Sequence, residues 1–149
     1  MIRLELQWPA GADHPLARLR ARLPRRLHAC LAAALEHGLA RARERLSPGG
    51  GGPTSRSGRL AASLTSRLAG RGLELQGTLA ARAPYAAAQE YGAVIQARRA
   101  AYLKFQVQGR WVQVKRVTLP ARPFLGPSAD DAAGELERLI IQALLEESP

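Results

Sequence analysis

The sequence is short of most of what an enzyme site is built from. It has one cysteine, Cys30, so no disulfide can close within the chain, and its setting in HACLAAAL reads as a small apolar packing residue rather than a nucleophile. The three histidines, His14, His28 and His37, lack metal-ligand spacing, since His28 and His37 are too far apart for the i, i+4 pairing that lets two imidazoles share an ion on one helix. Neither a G-x-S-x-G nucleophile elbow nor a G-x-x-x-x-G-K-[ST] phosphate loop occurs. The chain is therefore read as non-enzymatic, with no cofactor and no metal. Long apolar runs are missing too. No stretch approaches the ~18 uninterrupted apolar residues of a membrane span, and MIRLELQWPAG lacks the apolar region of a secretory signal. A soluble chain made in the cytoplasm, with no membrane partner, is the expectation.

Lysine is nearly absent, and acid is scarce outside one end. Of 22 basic residues only Lys104 and Lys115 are lysines, against 12 acids, for a net charge of +10. Residues 127–149 hold six of those acids and a single base, Arg138, so a body of about +15 is followed by a tail of about −5. Such asymmetry suits either a polyanion or self-assembly in which an acidic helix meets a neighbour's basic face. Arginines that simply solvate the surface would give the same composition.

What is present is patterned. Ile2, Leu4 and Leu6 alternate with polar residues as in a half-buried strand, closed by Pro9 and Gly11. From Pro15 to Leu46, leucines at 16, 19, 23, 27, 31, 35 and 39 form one helical stripe. Asp13 is placed to cap that helix, and Pro24 predicts a kink or restart near Leu23. SPGGGGPTSRSG (47–58) reads as a flexible, basic Gly/Pro-rich loop. RLAASLTSRL, with Leu60, Leu64 and Leu68 four apart, predicts a short helix that Gly70 and Gly72 stop. LELQGTLAA (73–81) predicts a strand, Tyr85–Tyr91 a helical turn, and 93–101 a basic connection.

YLKFQVQGRWVQVKRV (102–117) is the clearest local signal. Leu103, Phe105, Val107, Val112 and Val114 alternate with polar residues about a turn at Gln108-Gly109, which is a β-hairpin. Trp111 falls on the face opposite those residues, with Lys104 and Lys115; an aromatic beside lysines is either a stacking platform for bases or a sheet and subunit contact. Next comes the stiff connector LPARPFLGPS, in which Pro120 and Pro123 bias Leu119 and Arg122 toward extended backbone. Phe124 and Leu125 would anchor it in the core, leaving Arg122 to meet an acidic partner or local carbonyls. In the last helix Ser128 reads as the cap, Asp130 and Asp131 sit near its positive end, and Leu136, Leu139, Ile140 and Leu144 form its buried stripe. Together these pieces predict one α+β domain spanning 1–149. It would have a small antiparallel sheet of about four strands, including the 102–117 hairpin, packed with a long N-terminal and a C-terminal helix.

The order of S-G-R-L-x-x-S-L, A-P-Y-A-x-x-x-E-Y-G, a hairpin and P-A-R-P-F-L-G before a final helix resembles the tail-completion, or virion-morphogenesis, proteins of tailed bacteriophages. The likeness covers Ser57–Leu64, Ala83–Gly92 and Tyr102 to about Ile140. Ala93 stands where many members carry threonine. The resemblance implies a head-tail joining or minor tail protein in the particle's neck, made in the host cytoplasm and built into the virion. It implies a homo-oligomeric ring, a hexamer by family likeness, that contacts the tail-tube and head-connector proteins. Candidate subunit-contact residues are Trp111, Arg122, Phe124, Leu125, Asp130 and Asp131. Arg56, Arg59, Arg98 and Arg99 are candidates to line a DNA channel, where positive charge balances passing phosphate without reading bases. The other reading is a basic nucleic-acid-binding protein that stacks bases on a sheet face carrying Tyr102, Phe105 and Trp111.

Overall fold

The leucine stripe folds into a single long helix, α1 (Pro15–Arg45). The structure is a computed structural model that describes residues 15–53 and 57–146, with side chains on α1 from residue 21 onward. The strand expected at 2–7, the Asp13 cap and Arg56 lie outside the described residues. The expected restart near Leu23 does not occur, because α1 runs unbroken through Pro24. Proline removes only one bond of the ladder, and the apolar stripe continues on both sides of it.

After α1 the chain turns back on itself. The Gly52 amide donates to the Arg45 carbonyl (3.1 Å) and Gly50 to that of Ser47 (3.0 Å), so residues 47–53 fold against the helix end and Pro53 is buried. Then come α2 (Arg59–Ala62) and an antiparallel hairpin, β1 (Leu64–Arg71) and β2 (Glu74–Ala81). The helix expected to reach Leu68 is thus a single turn, and most of that segment is strand. A spacing of four residues fits one helical face, but it also equals two strand periods, so Leu64 and Leu68 can share a strand face. Pairing with β2 decides between the two. Gly72, at φ +61° in the two-residue loop, closes the hairpin where the sequence reading ended a helix.

A short helix, α3 (Ala86–Tyr91), leads to four strands: β3 (Ala93–Gln96), β4 (Leu103–Val107), β5 (Arg110–Val114) and β6 (Arg116–Leu119). β4 and β5 form the expected hairpin, with Gln108 (φ +49°) and Gly109 (φ +81°) both left-handed at its turn, as a type I′ turn requires. β3 and β6 pair antiparallel just behind it, so part of the segment read as a connection is strand. The molecule is α+β, with its sheet divided into the antiparallel pairs β1–β2, β3–β6 and β4–β5 among the described residues.

The last helix, α4 (Leu125–Leu145), packs along α1, and the β1–β2 hairpin lies on α1 beside it. Leu39 and Ala42 of α1, with Leu46 just past its end, meet Leu60, Leu64, Ala86 and Phe124 in the core. The two helices come close where both are small: a methyl group on Gly38 would lie 2.7 Å from Ala132 Cβ and 3.0 Å from the Ser128 carbonyl oxygen.

Candidate assembly surfaces

The start of α4 is organised by the acid of the E-Y-G motif, Glu90. This residue lies in the last turn of α3, and its carboxylate accepts backbone hydrogen bonds from Phe124 (2.8 Å), Leu125 (2.9 Å) and Gly126 (2.8 Å). Pro127 has no N–H, and the Ser128 amide is the first whose i−4 carbonyl belongs to the helix. Every orphan amide of the first turn is therefore satisfied. Burial would push the Glu90 carboxyl up, yet the three amides together outweigh it and hold its pKa below the usual value. Ser128 is not the cap. It lies inside α4, fully buried, donating to the Phe124 carbonyl (2.6 Å) and accepting from Arg45 Nη1 (3.0 Å).

Asp131 does not serve as a capping group either. Its Oδ2 takes Arg45 Nη1 at 2.8 Å and Arg41 Nε at 3.0 Å, tying α4 to α1. Hydrogen bonds from Arg45 and then Arg41 hold its carboxyl below the usual range. Asp130 is exposed. Phe124 is sealed in the chain's own core, and Leu125 packs beside it half-buried. In the connector, the Arg122 amide donates to the Gln89 carbonyl (2.8 Å) while its side chain is exposed. The E-Y-G and P-A-R-P-F-L-G segments are thus held directly against each other. A signal for this was present: F-L-G-P opens a helix with no capping side chain, so its amides need an acceptor from elsewhere.

Between these two segments an arm leaves the body. The strands β3 to β6 pack on one another, and none of them packs extensively on α1, α4 or the β1–β2 hairpin. Gly92 opens the arm at φ +77°, where a Cβ would come within 2.9 Å of the Leu119 carbonyl oxygen. Ala93 pairs with Leu119 at the base, and the Ala97 amide reaches the Lys115 carbonyl (3.1 Å), joining the two ladders. Residues 97–102 bulge out opposite Lys115 alone. At about 3.3 Å per residue, the return path from Arg110 to Leu119, which bends at Lys115, has a contour length of roughly 30 Å.

The arm carries much of the exposed apolar surface: Val94, Ile95, Tyr102, Val107 and Trp111, the last at 64% exposure. Both lysines of the chain are on it. Lys104 Nζ stands 4.9 Å from the centre of the Trp111 ring, and Lys115 Nζ 6.0 Å from that of Tyr102. Register places Trp111 opposite Gln106, and Phe105 opposite Val112, on the other face. Tyr102, Phe105 and Trp111 therefore do not form one stacking surface, because Phe105 and Trp111 sit at positions of opposite parity in the ladder.

The basic candidates are spread out. Arg59 begins α2 on the body, whereas Arg98 and Arg99 stand exposed in the bulge of the arm. Among the described residues no cluster of His, Cys, Asp and Glu could hold a metal ion, and no helix is long and apolar enough to cross a membrane. No family model matches the chain, and neither a curated protein nor a solved structure matches it.

Proposed function

We propose that this chain is a structural component of a phage neck or tail, a tail-completion or head-tail joining protein that works as one subunit of a ring around the DNA channel. The observation that carries this reading is the arm. A two-stranded ribbon is marginal in water on its own, and this one exposes apolar side chains along its length, including Val94, Val107 and Trp111. Such a ribbon gains stability when a neighbour covers it. The clamp from Glu90 to the amides of Phe124–Gly126 gives further support, because it joins the two motifs on which the family likeness rests. It also fixes the arm's two stems to the start of α4, so a contact made by the arm would be transmitted to the body as geometry. In this reading the ring meets the tail-tube protein on one side and the head connector on the other. Arg98 and Arg99 would offer weak, salt-sensitive contacts to passing DNA.

Native mass measurement, with the protein alone and mixed with tail-tube protein, tests this. A ring, or a stable complex with the tube, is expected, and Trp111→Ala should weaken it while leaving the monomer folded. A strict monomer that joins neither connector nor tube would refute the reading. The nucleic-acid alternative expects Trp111→Ala to reduce single-stranded DNA affinity by about 1–3 kcal/mol. Unchanged DNA affinity alongside lost assembly would exclude that alternative.

A further inference from the structure

Beside the core runs an apolar groove of about 570 Å³, walled by α1, α4 and β2. Leu31 and Leu35 line it from α1, Leu75 and Leu79 from β2, and Leu136 and Ile140 from α4. Two features of its walls describe what would fill it. First, β2 pairs only with β1 among the described residues, so the edge of β2 away from β1 offers unpaired backbone groups beside the groove. Second, Ala129 and Ala133 of α4 also line it, exposed, and these small residues leave room for large side chains from a third element.

We propose that the chain's own residues Ile2–Trp8 close this groove as a strand added to the free edge of β2. Four lines of argument converge on that occupant. The alternation of Ile2, Leu4, Leu6 and Trp8 with Arg3, Glu5 and Gln7 presents one apolar and one polar face. Seven residues match the eight of β2 in length. The direction also fits. A Cβ on Gly77 would touch Leu31 and Leu35, and Leu79 lies at Gly38, so β2 runs the same way as α1. A segment running toward the start of α1 is then antiparallel to β2, the pairing a short connection permits. Finally, Leu27 marks the near end of the groove, twelve residues into α1, or about 18 Å from Pro15 at 1.5 Å per residue. The six residues from Pro9 to His14 span up to about 20 Å when extended, which closes that distance with little slack.

Methyl and amide NMR on the full-length chain tests the placement. The expected result is a set of contacts from the methyl groups of Ile2, Leu4 and Leu6 to those of Leu136 and Ile140, with alternate β2 amides exchanging at least tenfold more slowly than the β1 edge. Leu4→Asp should abolish both signatures and lower the melting temperature by about 5–10 °C, whereas Glu5→Lys, on the outer face, should change neither. Random-coil shifts for residues 2–8 in the intact protein would overturn the proposal. So would contacts seen only between differently labelled chains in a mixed sample, since they would show a neighbour's segment in the groove. Uptake of an added apolar small molecule by the groove, with residues 2–8 at random-coil shifts before and after, would also overturn it in favour of a ligand site.

Discussion

A carboxylate that accepts three backbone amides at once ties together more structure than any other single side chain described. Glu90 holds the end of α3 to the first turn of α4. Replacing it with glutamine removes the charge and turns an N–H₂ group toward amides that can only donate, so Glu90→Gln should lose about 2–3 kcal/mol in urea unfolding. The pH dependence follows from the direction of its shift. The folded pKa lies below the unfolded value of about 4.3. Its contribution is therefore complete above that pH and disappears as pH falls through the folded pKa. Glu90→Gln should flatten part of this acid limb. Asp131, also lowered, supplies a second limb of the same sign that the variant keeps. Equal acid sensitivity in both proteins, followed by urea midpoints from pH 6 to pH 2.5, would show that Glu90 is not held charged in the fold.

At the level of elements, what matters most is how closely α1 and α4 can approach. Gly38 is buried at their crossing, and a methyl group there would meet Ala132 Cβ at 2.7 Å and Leu79 Cδ1 at 2.8 Å. Glycine to alanine in a helix normally stabilises by up to about 1 kcal/mol. At Gly38 the clash should reverse that sign and cost about 1–3 kcal/mol, whereas Gly134→Ala on α4, which faces open space, should show the ordinary gain. Paired urea midpoints check both, and a stabilised Gly38→Ala would mean that the helices can part at no cost. The elements also differ in how far they could be read from sequence. α1, α4 and the β4–β5 hairpin were legible because each carries its own long periodic pattern or turn signature. β1 was misread because the spacing of Leu60, Leu64 and Leu68 serves two periods. β3 and β6 were missed because four-residue strands hold too little alternation to register, and only their mutual pairing defines them. The site followed the same rule. Trp111 and its lysines could be placed on one face by local parity, but the reach of Glu90 to Phe124 is a tertiary contact that local spacing does not encode. Ser128 and Asp131 had the local look of caps and were taken up by α1 instead.

For the whole molecule, two kinds of contact could hold copies together, and salt separates them. The chain carries +10 net, with six of its 12 acids within residues 127–149. Part of that acidity is already used internally: Asp131 pairs with Arg41 and Arg45, and Glu135 with Arg138. Asp130 and Glu137 are exposed on α4, facing outward while the arm exposes Arg98 and Arg99. If these opposite charges draw neighbours together, assembly should weaken as salt rises from about 0.15 M to 1 M, since the screening length falls from about 8 Å to 3 Å. Sedimentation velocity across that range, on the wild type and two variants, apportions the contact. An Arg98→Ala/Arg99→Ala double variant should associate more weakly at low salt and converge with the wild type at high salt. Trp111→Ala removes apolar area that salt does not screen, so it should lower association by a similar factor throughout. Association that ignores salt in all three proteins would place the binding energy in the apolar faces of the arm and leave the arginines outside the contact between copies.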